Sequence, residues 1–323
     1  MTPALGRTYG PYLVTSALGR GGMGETYVGE RTGPGGFTQR VCLKRLRADA
    51  GDASWVRMFQ TEARLVAMLA HPNVVSLVDF GAEKDEWWMA LALVEGVDLR
   101  AMLTSAQHAG ERLPIELVVL VAIEIAKGLA HAHSRRLPDG APAHIVHRDL
   151  SPGNVMVSTD GAVLLTDFGI AKVAHGERTR TGVIKGKADY MSPEHASGEV
   201  LDGRADLFSL GVVLFELLTG TRPFLGATDI AKTLSAIRGK RARIEQLAPE
   251  TPGALVAIVD RLLEPTRERR YDDARALLDD LGRFHVRPSL VFALGERAMR
   301  AMQERGTPEP ERTRTDVPTT RPR

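Results

Sequence analysis

Residues 145–170 read IVHRDLSPGNVMVSTDGAVLLTDFGI, and the rest of the chain is best read outward from them. The carboxylates Asp149 and Asp167 stand eighteen positions apart, with Asn154 five residues after the first. Between them, apolar runs at 155–158 and 163–166 flank Thr159-Asp160-Gly161. Asp-Gly between two such runs is a strong hairpin signal, because glycine tolerates the positive φ that tight turns need. A hairpin returns its ends to one place, so Asp149, Asn154 and Asp167 are expected to converge on one rim. Three oxygen-bearing side chains there suit a hard cation such as Mg2+, which takes few protein ligands and completes its shell with water and phosphate. Each residue alone has an ordinary use: the two aspartates as helix caps, Asn154 in a turn. His147-Arg148-Asp149, Asn154 and Asp167-Phe168-Gly169 in this order do not reduce to three ordinary uses.

The second informative stretch is Gly19-x-Gly21-x-x-Gly24, which sits between the apolar run YLVTSALG from Tyr12 and the run TYVGE from Thr26. That glycine spacing also fits a dinucleotide-binding fingerprint, whose third glycine opens a helix. Here Thr26-Tyr27-Val28 follows, and β-branched and aromatic residues read as strand. A dinucleotide-dependent oxidoreductase is therefore disfavoured. A glycine loop between strands lets the backbone approach phosphates with its N–H groups. Residues 39–46 read as a further strand, in which Lys44 shares a face with Cys42 and opposes Leu43 and Arg45. Residues 55–69 have helical periodicity through Val56, Phe59, Ala63, Val66 and Leu69, and Glu62 is their one acidic residue.

Bulk properties exclude several classes. A net charge of +2 over 323 residues gives no basic excess of the kind that marks a nucleic-acid binder. The single cysteine, Cys42, rules out an intrachain disulfide and fits a reducing compartment. The first ten residues hold no apolar run suited to a signal peptide. The most apolar stretch, 117–126, is far too short for a membrane span and contains Glu124. A cytoplasmic location is expected.

Taken together, these motifs resemble the protein kinase family, in particular the bacterial members of the eukaryotic-type (Hanks-type) serine/threonine kinases, over residues 9–285. The resemblance implies an α+β, two-lobed fold: a small antiparallel β-sheet lobe with one helix (9–94) and a larger, mainly helical lobe (95–285). It implies ATP and Mg2+ as cofactors and a protein hydroxyl as acceptor. Asp149 would be the base; Lys44, held by Glu62, would grip the phosphates; Asn154 and Asp167 would hold the metal. Leu18, Gly19, Gly21, Gly22, Gly24, Thr26, Cys42, Leu91, Ala92, Val94 and Met156 would line the nucleotide site. Leu91 falls at the family's gatekeeper and 92–94 at its inter-lobe hinge. Family members usually have Val at Thr26, so that wall is expected to be slightly more polar.

Further along, strands are expected at 74–80 and 87–93 with a turn at 83–86, then a short helix at 99–104 capped by Asp98. Pro114 opens a long helix at 115–134, whose His131 and His133 are two apart and so ill-placed for a metal. Residues 172–189 resemble an activation segment, with Thr179 and Thr181 as candidate autophosphorylation sites and Arg148 as the partner for a phosphate there. A helix at 206–218 carries Asp206, which in relatives supports the catalytic-loop backbone; Glu194 is expected to pair with Arg270. Helices follow at 272–281 and, as an amphipathic addition using Leu290, Val291, Leu294, Met299 and Met302, at 288–303. Residues 1–8 and 304–323 are expected to be disordered.

Two positions depart from the family pattern. Ser151 stands where most serine/threonine kinases have Lys, and Lys187 stands where relatives have Thr. Both family side chains lie near the catalytic Asp, which suggests an exchange: Lys187 supplies the ammonium and Ser151 the hydroxyl. The competing class is a nucleotide-binding pseudokinase acting as a scaffold, which Ser151 favours and the intact Lys44, Asp149, Asn154 and Asp167 oppose. A kinase-domain dimer is a further expectation.

Overall fold

The structure is a computed structural model that describes residues 5–20, 24–46, 53–83, 86–169 and 188–306. The strands β1 (Thr8–Tyr9), β2 (Tyr12–Arg20), β3 (Gly24–Thr32), β4 (Thr38–Leu46), β5 (Leu77–Glu83) and β6 (Glu86–Ala92) form one sheet in the order β1-β2-β3-β4-β6-β5. All its pairings are antiparallel. Alternation along β4 sends Val41 and Leu43 into a cluster with Tyr9, Tyr12, Tyr27, Trp88 and Ala90 on one face. The opposite face carries Leu46, Met89 and Leu91 against α1 (Ala53–Ala67), through Phe59, Ala63 and Val66. Arg45 is buried on the first face, where its two Nη atoms are held by Glu25 at 2.6 Å, Tyr9 Oη at 2.8 Å and Glu86 at 3.2 Å.

Three boundaries differ from expectation. The first eight residues are not wholly unstructured: Gly6 N–H donates to the Val14 carbonyl, Val14 N–H to that of Arg7, and β1 begins at Thr8 because Tyr9 is buried in the sheet. The strand expected at 74–80 runs instead from Leu77 to Glu83. Val74 makes only an isolated bridge to Leu165, and Gly81 has Trp88 packed where a Cβ would stand. β6 likewise starts at Glu86 rather than Trp87.

The second lobe begins with β7 (Gly96–Asp98), paired to β8 (Val155–Ser158), which pairs with β9 (Val163–Leu165). Asp98 caps α2 (Leu99–His108) by accepting from Ala101 N–H at 2.8 Å; the helix is four residues longer than its apolar pattern suggested. The central helices are α3 (Ile115–His133) and α5 (Arg204–Thr219), with α4 (Pro193–Ala196) between them in sequence. Every residue of α5 from Ala205 to Thr219 is buried, as an all-round apolar helix must be. Around them pack α6 (Asp229–Ile237), α7 (Ile244–Leu247), α8 (Gly253–Leu262) and α9 (Ala274–Leu281).

The additional helix α10 (Ser289–Gly306) lies against α2, α3, β7 and β8. Its buried face is Leu294, Ala298 and Ala301, whereas Met299 and Met302 are 42% and 49% exposed. Leu290, Val291 and Leu294 pack against the core as expected, but Met299 and Met302 do not, and the reason is close approach. A Cβ on Gly161 would collide with the Val291 carbonyl, and one on Gly295 with the Thr159 carbonyl. The turn of the β8–β9 hairpin thus sits directly on the helix backbone, where only small side chains fit.

Candidate active site

The hairpin brings its two ends together as its sequence requires. Val155 pairs with Leu165, and the Thr166 N–H donates to the Asn154 carbonyl at 3.1 Å. Asn154 Nδ2 donates to the Asp149 carbonyl at 2.6 Å, which leaves its side-chain oxygen as an acceptor. The Gly169 N–H donates to the His147 carbonyl at 2.7 Å. A Cβ on Gly169 would lie 2.8 Å from the Asp149 Cβ, so a side chain there would push the two carboxylate-bearing segments apart.

Backbone strain marks both segments. Arg148 and Asp167 have φ of 64° and 53°, a left-handed conformation that non-glycine residues rarely adopt. Asp206, fully buried at the start of α5, fixes the first of them. Its carboxylate accepts from His147 N–H at 2.7 Å, Arg148 N–H at 2.8 Å and His133 Nε2 at 2.8 Å. Burial would raise the pKa of Asp206, but hydrogen bonding and charge from His133 and His147 outweigh it and hold it below the usual carboxylate range. His147 itself is pulled below its ordinary value by burial, with Asp206 and Asp149 opposing, and its ring lies 4.5 Å from that of Phe168.

Across the cleft, Lys44 on β4 donates to Glu62 on α1 at 2.7 Å and to Asp167 at 2.9 Å. Burial opposes the ammonium, yet Asp167 and Glu62 more than compensate and raise its pKa above the ordinary lysine value. Burial also lifts the Glu62 carboxyl, with Lys44 pulling the other way. The cationic lysine at 2.7 Å holds the carboxylate ionised, so the two form an ion pair at neutral pH. Asp167 keeps a 47% exposed side chain, so one edge of it faces the cleft. Cys42 is pushed up to about 11, by burial first and Asp167 second.

Other predicted residues take up definite places. Leu91 pairs with Cys42 across β4 and β6, and lines one small cavity with Glu62, Val66, Thr166, Asp167 and Phe168. Ala92 N–H donates to the Ser76 carbonyl at 2.9 Å. Thr26 does not simply add polarity to the pocket wall: its hydroxyl donates to the Gly19 carbonyl at 3.1 Å and ties the base of the glycine loop. Met156 faces Asp98 and Leu164 across its ladders, and Leu18 is half exposed. Ser151 precedes the short 3-10 turn 152–154. Gly21, Gly22, Thr179, Thr181 and Lys187 lie outside the described residues.

Sequence reasoning missed two supports. His133 is a ligand of Asp206, seventy-three positions away, and no local spacing signals that pairing. Tyr190, just before 191–194, donates to Glu216, which Arg100 also grips at 2.6 Å. The expected Glu194–Arg270 pair is present, at 2.6 and 2.8 Å.

This constellation on a small antiparallel sheet and a helical lobe is that of a protein kinase. Residues 12–280 match the family model described as "Protein kinase domain", and the chain belongs to that family. A Myxococcus xanthus protein named tyrosine-protein kinase MasK is 38% identical over 292 residues, covering 89% of this chain and 45% of that protein. The serine/threonine-protein kinase PrkC of Bacillus subtilis is 32% identical over 277 residues, covering 85% and 40%. The crystal structure of the PknI kinase domain of Mycobacterium tuberculosis aligns with a TM-score of 0.65 at 27% identity, over 88% of this chain and 99% of that one. The chain spans less than half the length of these two sequence relatives.

Proposed function

We propose that this chain transfers the γ-phosphoryl group of ATP to serine or threonine hydroxyls of proteins, itself included. The observation that carries the reading is Lys44 held between Glu62 and Asp167 while Asn154 and Gly169 lock Asp149 to the same rim. A purine edge would meet the Ala92 carbonyl and the Val94 N–H, since the Ala92 N–H already serves Ser76. Gly19, Gly21, Gly22 and Gly24 would cover the phosphates and Lys44 would grip them. The side-chain oxygens of Asn154 and Asp167 fit Mg2+, which supplies charge neutralisation of the phosphates when bound. Asp149 accepts the proton of the attacking hydroxyl, and positioning and fixed charge do most of the rest.

Arg148 supports regulation from the activation segment. Among the described residues, burial depresses its guanidinium and Asp206 opposes that shift, which fits Arg148 as the partner of a phosphate on Thr179 or Thr181. The intact Lys44, Asp149, Asn154 and Asp167 favour catalysis over a scaffold role. A second reading, transfer to tyrosine, is favoured by the name of the Myxococcus relative and by Ser151, which leaves the catalytic loop without a lysine there.

The test is phosphate incorporation from labelled ATP and Mg2+, followed by phosphoamino-acid analysis, beside Lys44→Met and Lys187→Ala. Incorporation into Ser or Thr that disappears in Lys44→Met is expected; phosphotyrosine alone would move the assignment to the second reading. Retained incorporation in Lys187→Ala would end the proposed exchange with Ser151. ATP binding without any incorporation would leave the scaffold.

A further inference from the structure

Two histidines that take no part in the candidate active site join the lobes. His71, in the loop that follows α1, stacks on His131 of α3 with ring centroids 4.7 Å apart and planes at 29°. His71 Nδ1 accepts from the Asn73 N–H at 3.1 Å, so that nitrogen carries a lone pair and no proton. His131 Nε2 is buried with no hydrogen-bond partner among the described residues. Charging either ring therefore breaks something definite. A proton on His71 Nδ1 turns the acceptor into a donor and expels the Asn73 N–H. On His131, the charged ring must donate from both nitrogens, and Nε2 has no acceptor there. With both rings charged, two cations stand face to face.

The loop that His71 opens is the one that holds β9. Asn73 Nδ2 donates to the Val163 carbonyl at 2.9 Å and to Glu124 of α3 at 2.7 Å. The Asn73 carbonyl accepts from the Leu165 N–H at 2.9 Å, and the Val75 N–H donates to the Leu165 carbonyl at 2.9 Å. A Cβ on Gly128 of α3 would lie 2.9 Å from the Asn73 carbonyl, so loop and helix are in close contact. β9 ends at Leu165, and Asp167, which grips Lys44, stands two residues further on. A displacement of residues 71–75 thus reaches Asp167 through the hydrogen bonds of Asn73 and Val75.

The charged groups that face the stack are Glu124 and Lys127 of α3, paired with each other at 2.7 Å, and Arg135 just beyond that helix. β9 itself carries no titratable side chain. Burial pulls both rings below the ordinary histidine pKa. At His71, Glu124 opposes that pull and Lys127 adds to it; at His131, His71 and Arg135 both add to it.

We infer that His71 and His131 are positioning residues for Asp167: their neutral stack holds residues 71–75 on α3 and β9, and protonation releases them. The inference rests on the proposed kinase activity for its catalytic consequence. Rings that refuse protons when stacked accept them when apart, so the latch is fully closed above about pH 6.5 and weakens as pH falls below it. One proton taken up on opening changes the opening equilibrium by at most about tenfold per pH unit.

Hydrogen exchange of the full chain is followed by mass spectrometry at about pH 7.5 and about pH 5.5, each scaled to the intrinsic amide rate. The parent is compared with His71→Asn, which keeps an acceptor for the N–H two residues on but does not titrate, and with His131→Phe, which keeps a ring in the stack. Amides of 71–75 and 163–167 in the parent should open several-fold more at the lower pH, while those of α5 do not. His71→Asn should remove that difference and His131→Phe should reduce it. The Mg2+ concentration for half-maximal phosphate incorporation should rise several-fold more in the parent than in His71→Asn over the same interval. Exchange at 71–75 that ignores pH, or a dependence that survives in both variants, overturns the inference. So does acid-dependent exchange with the same Mg2+ requirement in parent and His71→Asn, since the loop then does not position Asp167. Absence of incorporation at both pH values overturns the kinase assignment, and exchange at 163–167 then decides the inference by itself.

Discussion

Replacing Arg270 should cost more than replacing its partner Glu194, and the structure says by how much. Arg270 is 1% exposed and uses all five of its N–H donors. Nε serves the Glu264 carbonyl at 2.8 Å; Nη1 serves Glu194 and the Arg204 carbonyl; Nη2 serves Glu194 and the Pro265 carbonyl. The guanidinium also lies 4.8 Å from the ring centroid of Phe208. Removing one member of a buried pair costs about 3–5 kcal/mol, because the other charge stays buried. Glu194→Gln keeps the shape and one acceptor oxygen, which places it near about 3 kcal/mol. Arg270→Met strands the carboxylate and three carbonyls, each worth roughly 1 kcal/mol or more when left unpaired. It should therefore exceed Glu194→Gln by about 2 kcal/mol or more. The assay is urea unfolding followed by far-ultraviolet circular dichroism, since helix is concentrated in this lobe. Equal losses for the two variants, or a loss under about 1 kcal/mol for either, would refute the reasoning.

Three other outcomes follow from the same geometry. Burial holds His147 below its ordinary pKa, so the unfolded chain takes up a proton that the folded chain refuses as pH falls through about 6.5. That linkage lowers stability progressively as the pH falls below that point, and His147→Phe should flatten the slope in a pH series of urea midpoints. Cys42, pushed up to about 11, should react slowly with iodoacetamide at pH 7.5, and Asp167→Asn should speed it; rapid labelling of the parent protein would contradict the burial argument. Gly161→Ala, at φ of 82° and against the Val291 carbonyl, should cost at least about 2 kcal/mol, whereas Gly140→Ala, with φ of 85° but nothing within 4 Å, should cost less.

The groups proposed to react were legible in the sequence because phosphoryl transfer demands particular side chains at particular backbone positions. The Asp-Gly turn announced the hairpin, and the hairpin fixed where Asn154 and Asp167 must meet. Lys44 and Glu62 were legible for the same reason, one on an alternating strand and the other the lone acid of an amphipathic helix. What escaped was whatever depends on distant partners. The spacing of His133 spoke only against a metal site, and nothing local announced the Asp206 that α5 places against it. Alternation put Arg45 on the face opposite Lys44, but nothing local announced the Glu25, Glu86 and Tyr9 that surround it. Met299 and Met302 were wrongly put on the buried face of α10 because hydrophobicity favours methionine, while contact with a hairpin turn selects glycine and alanine. The strand at 77–83 was displaced because Gly81, beneath Trp88, interrupts its alternation.

The two lobes also divide the hydrophobic core very unequally. The sheet of the small lobe is flanked by two modest clusters, while one extensive cluster runs through the helical lobe from Leu69 to Ala301. Cooperative opening follows local core size, so amides of β2 to β6 should exchange with deuterium well before those of α3 and α5. Trp55, Trp87 and Trp88, the chain's three tryptophans, all lie in the small lobe, so indole fluorescence reports that lobe alone. Its melting curve should precede the dichroism curve. A nucleotide seated beneath β2 and β3 would close the interval between them, turning two transitions into one.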